Sequence, residues 1–101
     1  MELKDLTYEH FAPLVGAAFQ LTTENGQVIE LMLTGAHEEP GDGSSTAFSI
    51  LFRGPVTPLL QQRVYDVEHG DLGRLPIFLV PIAEENQGIV YQAVFTRLTE
   101  R

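Results

Sequence analysis

A short turn signal between two alternating segments places the strongest constraint on the fold of this chain. Asn25-Gly26 is typical of a tight β-hairpin, in which both central residues of a primed turn take positive φ. Apolar and polar residues alternate before it, over residues 18–23, and after it, over residues 28–34. A period of two residues is that of a strand with one buried face. The sequence therefore predicts a β-hairpin centred on Asn25-Gly26.

The same alternation predicts further strands at about 46–53 and 63–69, and apolar runs bounded by turn residues predict two more, at 75–82 and about 89–98. Residues 35–45 are rich in Gly, Ser and acidic residues, which predicts a polar, flexible loop. Pro76 and Pro81 cannot donate to a central ladder and are expected at strand ends or edges.

A short helix is predicted over residues 6–16, ahead of the first strand. Thr7 is a suitable N-cap, and Leu6 and Phe11 have the spacing of a hydrophobic staple around it. Gly16 is typical of a helix end. We therefore expect a mainly β fold, a single domain over residues 1–101. It is a six-stranded antiparallel meander closing as a small barrel or sandwich, with one short N-terminal helix.

The strands predicted at 75–82 and 89–98 are apolar on both faces. A domain of this size covers one face of its sheet thoroughly, so the second face needs its own cover. Either these strands lie between the sheet and the helix, or they contact another chain. The second alternative predicts a homo-oligomer formed through 75–82 and 89–98.

Charge narrows the classes of partner. The 101 residues carry a net charge of −8, and no Lys or Arg lies between Lys4 and Arg53. A phosphate backbone or an anionic membrane surface requires clustered basic residues, so we predict neither a nucleic-acid nor a membrane partner. The acidity serves solubility, forms a docking face for a basic protein, or forms a surface that binds divalent cations weakly.

No apolar stretch approaches the roughly 20 residues that span a bilayer. The first residues lack the basic region and apolar run of a signal peptide. The expected location is the cytoplasm, with incorporation into a particle or signal-free export left open.

The residues give no pattern for nucleophilic, metal or cofactor chemistry. There is no cysteine, and the serines lack the context of a nucleophile elbow. His37-Glu38-Glu39 with Asp42, and His69 with Asp71, lack the spacing of zinc or calcium sites. We predict no metal, no cofactor and no enzymatic activity.

Two carboxylates are retained for a hydrolase hypothesis. Asp66 and Glu68 lie two residues apart on one strand face, roughly 7 Å along the strand, a separation compatible with glycoside chemistry. With His69, they are the residues that such an activity would use.

Three residues are candidates for ligand or partner contact. Tyr65 and His69 share a face with Val67, and His69 is expected to bind a carbonyl of the following turn or a ligand at the barrel mouth. Arg53 precedes Gly54-Pro55 and is expected to pair with Asp66 or Glu68 on the solvent face.

A set of motifs spread along the chain resembles a known family of small bacterial proteins of about this length, which is catalogued as a domain of unknown function. The motifs are Phe11-x-x-Leu14-Val15-Gly16-x-x-Phe19, Phe48-Ser49-x-Leu51-Phe52-Arg53-Gly54-Pro55, Leu60-x-Gln62-x-x-Tyr65-x-Val67-x-His69, Leu72-Gly73, Phe78-Leu79-Val80-Pro81 and Tyr91-x-Ala93-Val94-Phe95. The resemblance implies a stand-alone β domain without assigned activity, encoded beside proteins similar to phage-tail collar or fibre components. It implies no catalytic residues.

The leading hypothesis is a non-enzymatic accessory or structural protein of a bacterial phage-tail-like assembly, with a protein partner on the strands at 75–82 and 89–98. The alternative is a small-ligand-binding β-barrel domain that uses Tyr65, His69 and the loop at 35–45. The hydrolase is the third.

Overall fold

The computed structural model describes residues 5–39, 45–85 and 88–98. It confirms a mainly β chain with six antiparallel strands and one short helical segment. The segment consists of helix α1 and a 3₁₀ turn. The elements are α1 (Tyr8–Phe11), the 3₁₀ turn (Ala12–Leu14), β1 (Ala18–Thr22), β2 (Val28–Glu39), β3 (Ser45–Gly54), β4 (Arg63–His69), β5 (Gly73–Glu85) and β6 (Gly88–Leu98).

The six strands form one continuous ring in the order β1-β2-β3-β6-β5-β4, with β4 returning to β1. A single meander would pair β3 with β4, and this part of the prediction is wrong. The ring contains two three-stranded meanders, β1–β3 and β4–β6, joined by the segment 55–62, which we call the connection. Alternation reports which face of a strand is buried, but it does not report which strand lies alongside.

The two meanders are equivalent in their strand pairing. Thr22 pairs with Asp66 where β1 meets β4, and Phe52 pairs with Tyr91 where β3 meets β6. Each middle strand carries one register shift, between Leu33 and Gly35 in β2 and between Pro81 and Ala83 in β5. An approximate two-fold axis that passes through these two cross-strand pairs therefore relates the pairing of one meander to that of the other. It places Leu31 of β2 in the position of Leu79 of β5.

The helical segment confirms Thr7 as the N-cap but is shorter than the predicted 6–16. The backbone N–H of Thr7 donates to Nδ1 of His10 at 2.9 Å, so a histidine takes the place of the usual Glu or Gln of a capping box. Pro13 falls in the 3₁₀ turn, and Gly16 ends the segment at φ 98°. Leu6 and Phe11 are both fully buried, as a staple requires.

The β1–β2 hairpin is confirmed, but its turn differs from the primed type. Only Gly26 has positive φ (87°); Asn25 does not. The N–H of Gly26 donates to the carbonyl of Thr23 at 3.0 Å, and the N–H of Thr23 donates to the carbonyl of Gln27 at 2.9 Å. This is a three-residue loop whose last residue forms a glycine bulge.

The loop predicted at 35–45 is wrong in its first part, since β2 continues through Glu39 and pairs with β3 from Ala47 to Leu51. Pairing with β3 continues beyond the register shift at Gly35, although this end of β2 is polar. Residues 40–44 lie outside the described part of the chain. Pro76 lies in the half of β5 that pairs with β4 alone, and Pro81 immediately precedes the shifted residue.

Inward-facing side chains of all six strands fill the ring, and the helical segment adds Phe11 at one end. The ring of Phe11 lies 5.9 Å from that of Phe48 and 5.8 Å from that of Phe95, measured between centroids. The inside of the ring is therefore a packed core, and any site must lie on its outer surface or ends.

Candidate functional site

Two tyrosine hydroxyls hold the connection against the end of the ring. The hydroxyl of Tyr65 donates to the carbonyl of Gln61 at 2.6 Å, and the N–H of Leu60 donates to the hydroxyl of Tyr91 at 2.9 Å. Burial raises the pKa of both phenols above the ordinary value of 10.0. Tyr65, a predicted contact residue, thus positions the connection. Sequence reasoning missed Tyr91, because nothing local indicates that it reaches Leu60.

His69 lies half-buried at the other end of β4. Its ring packs against Phe19 with 4.7 Å between centroids, and its Nδ1 accepts the backbone N–H of Asp71 at 3.0 Å. A bond to the following turn was predicted, but the partner is an N–H and not a carbonyl. The imidazole therefore caps the β4–β5 turn.

Arg53 points outward from β3, where its Nη2 lies 3.9 Å from Sδ of Met32. The predicted pairing with Asp66 or Glu68 is wrong, because β3 neighbours β2 and β6 and does not neighbour β4. The three predicted contact residues do not form one site. Tyr65 and His69 are four positions apart, roughly 13 Å along the strand, and Arg53 lies on β3, which does not pair with β4.

The residues of the hydrolase hypothesis also diverge. Asp66 and Glu68 are exposed on the outer face of β4, whereas His69 belongs to the inner face with Tyr65. The register places Glu68 opposite Arg74 and Asp66 opposite Pro76. Within the described ranges, no three His, Asp or Glu side chains cluster as metal ligands would.

Two open grooves flank Pro58 of the connection. The first, which we call the β2 groove, has a volume of about 470 Å³ and runs between the start of β2 and the end of β3. It is lined by Gln27, Val28, Ile29, Glu30, Met32, Arg53, Gly54, Pro55, Thr57 and Pro58. The second, the hairpin groove, has a volume of about 390 Å³ and lies between the β1–β2 turn and Tyr65. Arg63 and Glu24 form an exposed ion pair at its rim, with 2.7 Å between Nη2 and Oε1.

An apolar patch occupies one part of the outer face of β4 and β5, where β4 begins. Val64 and Phe78 are direct cross-strand partners, exposed by 57% and 48%. Val80 continues the row on β5, and Ile82 follows, 49% exposed, at the register shift. We call Val64, Phe78, Val80 and Ile82 the β4–β5 patch. It confirms that the strand predicted at 75–82 is apolar on both faces.

A comparison with protein families matches residues 6–95 to a domain of unknown function, DUF6916. The chain belongs to this family. The resemblance to a domain of unknown function is thereby confirmed. No curated protein and no solved structure matches the chain. None of the helices in the described residues is long and apolar enough to cross a membrane.

Proposed function

We propose that this DUF6916 protein is a non-enzymatic accessory or structural protein that binds a protein partner through the β4–β5 patch. The paired, exposed side chains of Val64 and Phe78 are the observation that carries the proposal. Large apolar side chains that lie contiguously on an outer sheet surface are typical of a protein interface.

The scattered titratable groups support binding over catalysis. The carboxylates of Asp66 and Glu68 face away from His69, and the hydroxyl of Tyr65 is engaged by Gln61. A catalytic site requires a nucleophile or base, its orienting group and a substrate to converge. A flat face of β-branched and aromatic residues requires only a complementary surface.

The partner we propose is a protein of a bacterial phage-tail-like assembly, which the chain would join as a component or accessory. This assignment rests on the family resemblance. A second copy of the chain is the other candidate occupant, since a self-complementary patch of this kind closes a two-fold dimer.

Site-specific photo-crosslinking in the native cells tests the proposal. Benzoylphenylalanine replaces Phe78 in one full-length variant and Val15 in a control, because the two side chains are exposed to nearly the same degree, 48% and 47%. Val15 follows the helical segment and lies outside the patch. Mass spectrometry then identifies the crosslinked protein.

We expect one crosslinked species from position 78 and none from position 15. Identification of a tail-like protein in that species supports the whole proposal. Identification of a second copy of the chain would mean that the patch forms a homo-oligomer and does not join the assembly. Equal crosslinking from both positions, or none from position 78, contradicts the patch as an interface.

A small-ligand site in the hairpin groove is the second candidate. The groove has an aromatic wall at Tyr65 and a charged rim at Glu24 and Arg63. Such a mixture of apolar and convergent polar groups is typical of ligand sites. The test compares binding of a metabolite library by the Tyr65→Phe and Arg63→Ala variants with binding by the unaltered chain. If neither variant changes the binding, this candidate is removed.

A further inference from the structure

The first part of β2 has a neighbour on one side only. Residues 28–32 pair with β1, whereas pairing with β3 begins at Met32, opposite Arg53. The β3 side of residues 28–30 is therefore an open strand edge, and Gly54 lies beside Leu31. The β2 groove runs along this edge, since Val28, Ile29 and Glu30 line it.

Alternation of the hydrogen bonds shows which backbone groups face the groove. The N–H of Thr23 donates to the carbonyl of Gln27, and the N–H of Leu33 donates to the carbonyl of Ala17. In an antiparallel pair these bonds recur at every second residue, so Ile29 and Leu31 bond to β1. The N–H and C=O groups of Val28 and Glu30 therefore point into the groove. In the described part of the chain, no backbone group bonds to them there.

Proline explains why β3 does not close this edge. The register of Met32 with Arg53 would place Pro55 opposite Glu30 if β3 continued. Pro55 has no N–H to donate to the carbonyl of Glu30, so the pairing of β3 with β2 ends at Arg53. Strand β3 ends at Gly54, and the chain turns away into the connection.

We infer that the β2 groove binds an extended, basic peptide segment of another protein, which adds to the sheet as a short strand beside Val28 and Glu30. Strand addition of this kind draws its affinity from main-chain hydrogen bonds and its specificity from alternate side chains. The inference is independent of the β4–β5 patch, which lies on other strands.

Sterics determine which side chains the peptide carries on its inner face. A peptide residue opposite Ile29 points toward the packed core, where the side chain of Ile29 is buried. Next to it, opposite Leu31, β3 has Gly54, at which a Cβ would lie 2.8 Å from Cδ2 of Leu31. We therefore expect glycine or another small residue at the inward-facing positions of the peptide.

Charge favours a basic residue at the outward-facing position opposite Glu30, whereas Arg53 lines the groove where β3 ends. The outer residue opposite Glu30 faces an exposed carboxylate, and opposite charges on cross-strand partners stabilise a sheet. The net charge of −8 adds a longer-range attraction for a basic segment. The preferred peptide therefore alternates small residues with outward Lys or Arg and a β-branched residue opposite Val28.

The described chain ends lie away from this groove. Leu6 borders a cavity with Glu38, and Leu98 pairs with Ser45, both at the far end of β2 and β3. Ten residues of strand, roughly 33 Å, separate Val28 from Glu38.

A synthetic peptide, compared with versions that are N-methylated at chosen backbone nitrogens, tests the inference. The peptide Lys-Gly-Val-Gly-Lys-Gly-Val is titrated to millimolar concentration into the ¹⁵N-labelled full chain, and amide shifts are followed by NMR. We expect saturable shifts at the amides of Val28 and Glu30. N-methylation of the Lys and Val residues, whose N–H groups face β2, should abolish the shifts, whereas N-methylation of the glycines should leave them.

Charge reversal provides the matched control. Glu30→Lys, at an exposed position that leaves the spectrum dispersed, should weaken binding of the Lys peptide roughly two- to fivefold and strengthen binding of a Glu-Gly-Val-Gly-Glu-Gly-Val peptide by a similar factor. Phe78→Ser should bind the Lys peptide as the unaltered chain does, which separates this site from the proposed partner face. Absence of shifts at Val28 and Glu30 with either peptide, or equal loss from both N-methylation patterns, would overturn the inference.

Discussion

The backbone N–H of Leu60, in the connection between the two meanders, donates a 2.9 Å hydrogen bond to the buried hydroxyl of Tyr91 on β6. Leu60 itself is buried, so the bond joins the connection to the core of the second meander. Leu60 lines the hairpin groove, so the bond holds one wall of that groove in place.

Removing the Tyr91 hydroxyl should destabilise the fold. Tyr91→Phe leaves the N–H of Leu60 buried without an acceptor, which costs about 1–3 kcal/mol. Urea denaturation followed by circular dichroism measures the difference. Tyr8→Phe is the control, since Tyr8 is half-buried and its hydroxyl has no hydrogen bond to any other described residue. Equal loss in both variants would show that the hydroxyl bond to Leu60 contributes nothing.

Alkaline pH should weaken the same region. The pKa values of Tyr65 and Tyr91 are raised in the folded state by burial, so folding favours their protonated forms. Their contribution is fully present below pH 10, the pKa of the unfolded phenol, and is lost as the pH rises through the higher folded values. Unfolding free energies measured from pH 8 to 11.5 should fall above about pH 10. A Tyr65→Phe, Tyr91→Phe double variant should show a shallower fall, and an unchanged slope would contradict the assignment.

Glycines at the end of β3 and the start of β6 should resist substitution by alanine. A Cβ at Gly88 would lie 2.3 Å from the carbonyl oxygen of Gly54, a backbone atom, whereas one at Gly54 would meet Cδ2 of Leu31, which can rotate. Gly88→Ala should therefore cost more than Gly54→Ala, with both in the range of about 1–3 kcal/mol. Gly70→Ala meets nothing within 4 Å and should stay within about 0.5 kcal/mol. Thermal melting ranks the three variants, and the reverse order would argue against this close approach.

Neighbouring residues of β5 should respond very differently to truncation. Ile77 is fully buried, so Ile77→Ala should cost about 2–5 kcal/mol. Phe78→Ala removes an outward side chain and its contact with Val64, which should cost less than about 1 kcal/mol. Chemical denaturation compares the two. A large loss at Phe78 would mean that the patch is part of the fold itself and would count against its role as a docking face.

Local patterns were sufficient to predict the strands, the Thr7 cap and the inward face of β4. Alternation identified Tyr65 and Val67 as buried, and both are. Alternation could not predict which strands are neighbours in the ring, because Arg53 and Asp66 both point outward whatever the order of the strands. The continuation of β2 past Gly35 was missed because Glu38 and Glu39 lack an apolar period, although the pairing with β3 retains them.

The β2 groove follows from Pro55, whose effect on strand pairing depends on the residue of β2 that it would face. The sequence indicated that Gly54-Pro55 ends a strand, and the strand ends there. Only the register of β2 with β3 shows that the N–H which Pro55 lacks would fall opposite Glu30, and that an open edge results.

The matching of the two meanders has an evolutionary consequence. Ile29 and Leu31 occupy the positions of Ile77 and Leu79, so the inner faces of β2 and β5 carry the same residue at these two positions, while Glu30 stands where Phe78 does. Such a ring is what two identical half-length chains would build, each contributing three strands to a symmetric pair. Gene duplication followed by fusion of such halves would free each outer surface to diverge while the shared interior stayed constrained. One ancestral surface would then have given rise both to a polar strand edge and to an apolar face.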